Sequence, residues 1–505
     1  MSDTVTLPMT PETFWGLVGL AAFLVMMIAV FGLLSGVKPE AGDTPFTRLR
    51  DRFGMAGLPE GVFALGLILW SVIFCALILG LLWTIISAAF HAPARTVESQ
   101  TALRFVLISL TALTATLGAV VAFPVTLIRI ALSRKQTETA EEALFNDKIN
   151  AAAAGLAARR QVTRVINSGS DKESVVTEWE DDLVTRASAI DRLEGLANER
   201  PDITARVARM LSIYVRELSR EHPAKEPPER GQETSVSEWA KQLRPIRPDM
   251  EKAAQALGRL QEIPDNNLKV GDIDLRGANL QGFDLKFLRF EGVRFDGSFI
   301  QGSSFLGASL NSASFHSVRG EHAELRAAYM QRANLWDSNF SGASFEQARL
   351  HFAILREVDF RGATFFAAGL KNATLEETNM HAVSLWGAEL QGAILRRITL
   401  TNADLHDAQL QGAYILGVDL DELTDLREAN FFGAAIRAVG PLVARRLQNE
   451  DILNHVFGHK YLAQVVEGNP PAHWARAALS LSEFTEQWHA WQDTLPDFDP
   501  SWRRN

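Results

Sequence analysis

The chain has 505 residues, a formal charge of −10 and charged side chains at 22% of its positions. That length allows three ordinary domains, and so modest a negative charge argues against an electrostatic nucleic-acid binder. The single cysteine, Cys75, lies in an apolar run, which excludes an intramolecular disulfide framework and a cysteine-rich metal site and leaves a small packing residue.

Three segments are candidates to cross a bilayer. Phe14–Leu34, Val62–Phe90 and Phe105–Ile128 each carry roughly twenty uncharged, mostly apolar residues. The first is not a cleavable signal peptide, because Asp3 and Glu12 precede it and no basic residue does. Lys38, Arg48, Arg50 and Arg52 fill the first loop, Arg95 and Arg104 the second, and Arg129, Arg134 and Lys135 follow the third span. The positive-inside rule then predicts the N-terminus outside, and everything after Ser133 in the cytoplasm. No Asp, Glu, Lys, Arg or His interrupts the spans, so a pump or transporter is not expected and the segment reads as an anchor. Pro124 is expected to kink the third span. Small residues at helix-contact spacing (Gly32/Gly36, Ala76/Gly80, Thr114/Gly118) suit packing of the spans within one chain, with a homo-oligomer as the alternative.

Helix formers dominate from Ala131 to Ala157, so the third span is expected to continue as a stalk. Turn and polar residues break it at Asn167–Glu178. A helix pair follows, with Leu183, Ala187, Ile190 and Leu193 on one apolar face and Ile203, Val207, Met210, Leu211, Tyr214 and Leu218 on the next, separated by Pro201. His222–Glu233 is a linker by composition, and Arg247–Leu260 reads as a short helix.

From Gly271 to Leu420 every fifth residue is apolar, from Leu275, Leu280, Leu285 and Phe290 through to Leu410, Ile415 and Leu420, and only Gly320 breaks the rule. Two residues earlier sits a small one, as at Ala278, Ser303, Ala308 and Ala403. A step of five smears around a helix and flips across a strand, so only a backbone that turns a corner every five residues keeps these positions inside. That is a solenoid. Twelve of the sixteen glycines between Gly271 and Gly433 fall two residues after the apolar position, where a corner would demand a positive φ. About thirty such units make roughly seven and a half coils and, at ~4.8 Å per stacked strand, a tower on the order of 36 Å tall. After Leu420 the beat resumes one residue late at Leu426, Phe431 and Ile436, predicting a bulging turn near Asp421–Asp425. The end of a solenoid is a sticky edge, and helices within Val439–Asn505 are the expected cap.

The runs RGANL, LGASL, QRANL, SGASF, TNADL and QGAYI resemble the A(D/N)LXX pattern of pentapeptide-repeat proteins. The flanking helices, in the order RKQTETAEEALFNDKIN, RASAIDRLEGLANERPDITARVARMLSIYVREL and RPDMEKAAQALGRL, are similar to those of bacterial membrane-anchored members. The resemblance implies a right-handed, four-sided β-helix with four pentapeptides per coil, at a bacterial inner membrane, and implies little about activity. Bulky Phe283, Leu288 and Ile398 depart from the pattern where a small residue is usual. The expected fold is therefore multi-domain: a three-span α-helical transmembrane anchor over 1–132, a small α-helical stalk, helix pair and linker over 133–265, the quadrilateral β-helix over 266–436 and a helical C-terminal cap over 437–505.

Residues twenty apart stack on one face. Trp336, Arg356, Glu376 and Arg396 form a column, an aromatic under a cation and then alternating charge, and Asn339, Asp359 and Asn379 a column of hydrogen-bonding side chains. In a third, Phe366 and Trp386 are adjacent outward aromatics and a candidate partner-binding patch. No nucleophile–base pair, phosphate-binding loop or paired-carboxylate motif stands out, so neither enzyme activity nor a cofactor is expected. His455 and His459 have a ligand-like spacing but lack a third ligand, and no metal is expected there. These features predict a non-enzymatic, bilayer-anchored scaffold that presents the solenoid to a protein partner. The alternative is a DNA-mimicking regulator of a topoisomerase or another nucleic-acid-binding protein, since some soluble relatives engage topoisomerases. Charge argues against it: 21 acidic residues face 14 basic ones between Gly271 and Ile436, and the excess is confined almost wholly to Asp404–Glu428.

Overall fold

The structure, a computed structural model, describes residues 50, 53, 59–90, 97–167, 173–228, 233–437, 452–459 and 470–503. The expected span Phe14–Leu34 and residues 441–451 of the expected C-terminal helix lie outside them. The chain forms two compact units, one ending at Asp147 and the other beginning at Lys148.

In the first unit, α1 (Glu60–Phe90) and α2 (Val97–Gly155) contain, among the described residues, two stretches long and apolar enough to cross a membrane, Glu60–Ser87 and Arg104–Gly155. Threonine hydroxyls of α2 bond back to carbonyls four residues earlier, as at Thr111, Thr116 and Thr126, so polar groups on an apolar helix are satisfied locally. Pro124 does not end the helix, which runs on as the expected stalk. Proline removes the N–H that the carbonyl four residues before it, Val120, would accept. The Trp70 indole N–H of α1 fills that vacancy at 3.1 Å.

The second unit opens on a feature that composition concealed. Where a break was expected at Asn167–Glu178, β1 (Arg159–Asn167) and β2 (Glu173–Asp181) form an antiparallel hairpin in register from Arg159↔Asp181 to Asn167↔Glu173. The linker region is thus not purely α-helical. Its β-branched Val and Thr residues favour the pleated form, and Thr163 meets Thr177 across the strands. Helices α3 (Leu183–Glu199) and α4 (Thr204–Glu221) are the expected pair, burying Ile190, Leu193, Val207, Leu211 and Leu218. Helix α5 (Glu233–Gln242) lies beyond the region read as linker and was not foreseen, while α6 (Pro248–Leu260) matches. The fully buried carboxylate of Asp249 takes Arg247 Nε at 2.9 Å and Nη2 at 2.7 Å, and the Tyr214 hydroxyl at 2.6 Å. Burial alone would raise that acid, but these donors hold it below the ordinary carboxylate range. Arg247 and Arg186 also reach Asp181, so the same charges tie the hairpin to the helices.

The rest is a parallel β-solenoid with four ladders, typified by Ser314↔Asn334, Arg319↔Asn339, Glu324↔Ser344 and Tyr329↔Arg349. Its most regular wall holds β3 (Asn334–Trp336), β4 (Ile354–Arg356), β5 (Thr374–Glu376), β6 (Ile394–Arg396), β7 (Tyr414–Leu416) and β8 (Ala434–Arg437). Phenylalanines fill the axis, with Phe295 on Phe315 at 5.0 Å and Phe345 on Phe365 at 4.8 Å. The corner two residues after each core position takes a left-handed φ whether or not it is glycine: 65° at Gly277, 57° at Ser312, 55° at Asp407. The register slips as expected, since Thr399 pairs with Asp419 but Tyr414 with Ala435. Asp421 and Thr424 close the inserted turn, and the Thr424 hydroxyl returns to the Leu400 carbonyl at 2.9 Å. At Gly320 the missing side chain is replaced by the Phe340 ring, which would lie 2.6 Å from an added Cβ.

The first coil has no coil above it to accept its N–H groups. Asp274 N–H donates instead to Ser212 Oγ (3.2 Å), Asn279 N–H to Ser219 Oγ (2.9 Å), Asp284 N–H to Glu251 Oε1 (2.8 Å) and Glu291 N–H to Gln261 Oε1 (2.9 Å). Helices α4 and α6 thus close the upper edge with side chains. Bulky Leu288 fits because it faces Gly258 of α6 rather than another coil. At the other end β9 (Val456–Gly458) pairs with β8, and α7 (Leu481–Gln492), held by a Ser480/Glu483 capping box, lays Phe484 and Trp488 against Tyr414 and Ala435.

Candidate interaction surface

The outward positions flank each core residue, so every wall carries two columns of side chains. On the β3–β8 wall, Glu376 accepts from Arg356 (2.7 Å) and Arg396 (3.0 Å), as the alternating charges predict. Burial would raise the Glu376 carboxyl, but these guanidinium partners lower it. Trp336, expected beside a cation, packs edge-on against His316 at 4.8 Å. The lower half of this wall, from Ile394 to Ala435, is covered by α7.

The second wall is covered at its top. Lys225 exchanges two backbone hydrogen bonds with the Gln281 side chain, both 2.8 Å, and Glu226 pairs with Arg319. Below them Gln281 donates to Gln301 at 3.1 Å, and Glu321 continues the buried column. Burial pushes the Glu321 carboxyl up. Gly302, with φ at 63°, lies under α5, where a Cβ would strike the Ala240 carbonyl. The Asn339, Asp359 and Asn379 side chains do not bond to one another along the column. Each accepts from the backbone N–H two residues on, at Ser341, Arg361 and His381.

The third wall carries the sequence-predicted patch. Phe366 and Trp386 are brought together edge-to-face at 5.4 Å, 39% and 47% exposed, and Trp386 continues onto His406 at 5.7 Å. Beside this aromatic ladder runs the column Ser384↔Asp404↔Asp425. Asp425 is held down to about 2, first by its hydrogen bond from Arg427. A second exposed apolar group, Trp336, Phe352 and Ile354, lies at the upper part of the β3–β8 wall and was not singled out from the sequence. Its signal was present, since Phe352 and Ile354 are apolar residues off the five-residue beat. Among the described residues no group of three or more His, Cys, Asp or Glu side chains is placed to hold a metal. His455 contributes its backbone carbonyl to Gly433 N–H, at 2.9 Å.

A four-walled parallel solenoid built on a five-residue beat, with apolar rungs and left-handed corners, defines a class of repeat architecture. Residues 321–351, 343–381 and 378–415 match the family model described as pentapeptide repeats, in eight copies, and this solenoid belongs to that family. Pentapeptide-repeat proteins are in general non-enzymatic, structural or interaction proteins. Among solved structures, HetL, a pentapeptide repeat protein involved in heterocyst differentiation regulation from the cyanobacterium Nostoc, is 21% identical, and the match covers 35% of this chain and 93% of HetL at a TM-score of 0.20. Full-length QnrB1, a plasmid-mediated fluoroquinolone resistance protein, is 17% identical over 43% of this chain and 96% of its own, at a TM-score of 0.19. Rfr23 from the cyanobacterium Cyanothece is 29% identical over 20% of this chain and 65% of its own, at a TM-score of 0.17. No curated protein sequence matches the chain.

Proposed function

We propose that this chain is a membrane-tethered, non-catalytic scaffold that presents its solenoid to a protein partner. The observation that carries the reading is the exposed Phe366–Trp386 pair on an ordered wall, where two large rings in water serve the fold little. The apolar stretches of α1 and α2 support a bilayer anchor in the chain's first part, with the expected Phe14–Leu34 as a further span. The arginines and lysines that follow α2's apolar portion support a cytoplasmic address for the solenoid at a bacterial inner membrane, with the N-terminus outside. In this reading residues 1–132 anchor, 133–265 join and close the upper edge, 266–436 present the walls, and 437–505 close the lower end.

In-cell cross-linking of the full chain should recover a reproducible protein partner. The double substitution Phe366→Ser/Trp386→Ser should weaken its capture while leaving the amide protection of the coils intact. Capture that is unaffected by both substitutions removes the patch from the proposal. A topology reporter fused after Asn505 should be active only in its cytoplasmic form, and a periplasmic signal would overturn the orientation.

A further inference from the structure

The third wall changes character below Trp386. Higher up, its acids are neutralised by a basic residue two positions on, as in Asp284–Lys286 and Glu324–Arg326. At Asp404 the equivalent position is His406, which touches Trp386 and whose Nδ1 has no hydrogen-bond partner. Between Asp404 and Glu428 seven acidic residues accompany one basic residue, Arg427, and that arginine pairs with Asp425. Asp404, Asp407 and Glu428 have no Lys or Arg ion pair among the described residues. Asp404 and Asp425 lie on the wall, and Asp407 and Glu428 on the corner beside it, in the two coils below the rings. Arg427 acts on Asp404 and Glu428 only at longer range, so an apolar anchor site runs directly into negative charge that one arginine offsets in part.

We propose that the third wall binds a basic, apolar-anchored protein segment: a large aliphatic or aromatic side chain on Phe366–Trp386, followed by Lys or Arg over Asp404, Asp407 and Glu428. This rests on the scaffold reading above and names the chemistry of the partner at that site. Adjacent coils stand ~4.8 Å apart, which places the charges about 5–10 Å below the rings. An extended segment advances ~3.3 Å per residue, so the basic side chains follow the anchor by roughly two to three residues. The same charge repels the phosphates of nucleic acid and disfavours an acidic partner.

The test uses the full chain in nanodiscs and a fluorescent peptide bearing Leu-Trp followed after a one-residue spacer by Lys-Arg-Lys, read by anisotropy. Its controls replace Leu-Trp by Ser-Ser, or Lys-Arg-Lys by Glu-Asp-Glu. The basic, apolar peptide should bind and both controls should lose at least about tenfold in affinity. D404N/D407N/E428Q, which keeps the side-chain shapes, should cost about tenfold and flatten the salt dependence, whereas neutralising Glu199, Glu217 and Glu221 on the helical part should cost nothing. Equal losses from the two triple variants would mean attraction to net charge alone and would overturn the site. Binding that needs Phe366 and Trp386 but ignores D404N/D407N/E428Q would overturn the charge inference and leave the scaffold reading standing. Peptide binding insensitive to every one of these substitutions, with cellular capture also insensitive to F366S/W386S, would overturn both.

Discussion

Gly320→Leu restores the residue type that the five-residue pattern calls for, and it should destabilise the solenoid. On pattern alone the change is favourable, because the glycine is not at a positive φ and burying a leucine is worth ~1.5–3 kcal/mol. The space, however, is taken. An added Cβ would lie 2.6 and 2.8 Å from Phe340 Cε1 and Cδ1 and 3.3 Å from Ile300 Cγ1, where carbon contacts are comfortable at about 3.5–4.0 Å. The ring has little room to retreat, being fully buried with its centroid 5.5 Å from Phe345 and 6.2 Å from both Phe315 and Phe360. Overpacking of this kind costs about 1–3 kcal/mol. Adding Phe340→Leu makes the room, so the two changes should couple favourably by about 1–3 kcal/mol instead of adding. Urea unfolding of the full chain in detergent, with hydrogen exchange at the Ile300 and Phe340 amides, measures both quantities. A Gly320→Leu protein as stable as the parent, with strictly additive costs in the double variant, would refute the reasoning.

Trp70→Phe should weaken the α1–α2 pair by about 1–3 kcal/mol, because it strands the Val120 carbonyl that Pro124 leaves without an intrahelical donor. In a Pro124→Ala background that loss should largely vanish, as a thermal-shift cycle in detergent would report. Glu321→Gln should stabilise the upper coils above about pH 5. A carboxyl raised by burial is disfavoured once it ionises, so its penalty grows as pH rises from the unfolded-state value through the folded one, and the amide removes that slope. Melting curves between about pH 4 and pH 8 check the sign. Trp488→Ala should cost about 3–5 kcal/mol locally, losing the 2.8 Å bond to the Gly433 carbonyl and the packing on Tyr414, and should expose α7 to limited proteolysis before the coils above it.

The parts legible beforehand are those that repeat. A period of five admits one backbone solution, so the walls, the corners, the slip after Leu420 and the Phe366–Trp386 stack all follow from counting residues. The rest depends on single contacts between distant positions. Ser212 and Ser219 lie on a helix face among ordinary apolar neighbours, and nothing in their spacing marks them as acceptors for Asp274 and Asn279, some sixty residues on. The hairpin was hidden because the turn and polar residues of Asn167–Glu178 mark a break in the helix and give no sign that the chain on either side pairs as strands. Its acids and arginines in fact pair across strands and with α3 and α6, as Arg160 does with Glu180 and Arg247 with Asp181. The departures Leu288 and Gly320 look like faults only until the partner that fills or vacates the space is known.

Uniformity within the tower also limits where recognition can reside. Each inner coil repeats the same backbone bonds, so one coil differs from another only in its outward columns and at its ends. The upper edge is consumed by α4 and α6, the top of the second wall by Lys225, Glu226 and α5, and the lower β3–β8 wall by α7. Trp502 and Phe498 pack at the corners of Gly412 and Gly433 beside the last coils. The third wall retains large exposed rings in direct continuity with seven acidic residues that a single arginine, Arg427, offsets only in part. Burying those rings against a partner would recover apolar area, and supplying Lys or Arg below them would recover the charge compensation that the upper coils already have. Those two gains fall within two coils of each other, which is why we assign binding to this wall rather than to the upper patch at Trp336, Phe352 and Ile354, where Arg356 and Glu376 satisfy one another and the Glu357 carboxylate already accepts from the Trp336 indole at 3.4 Å.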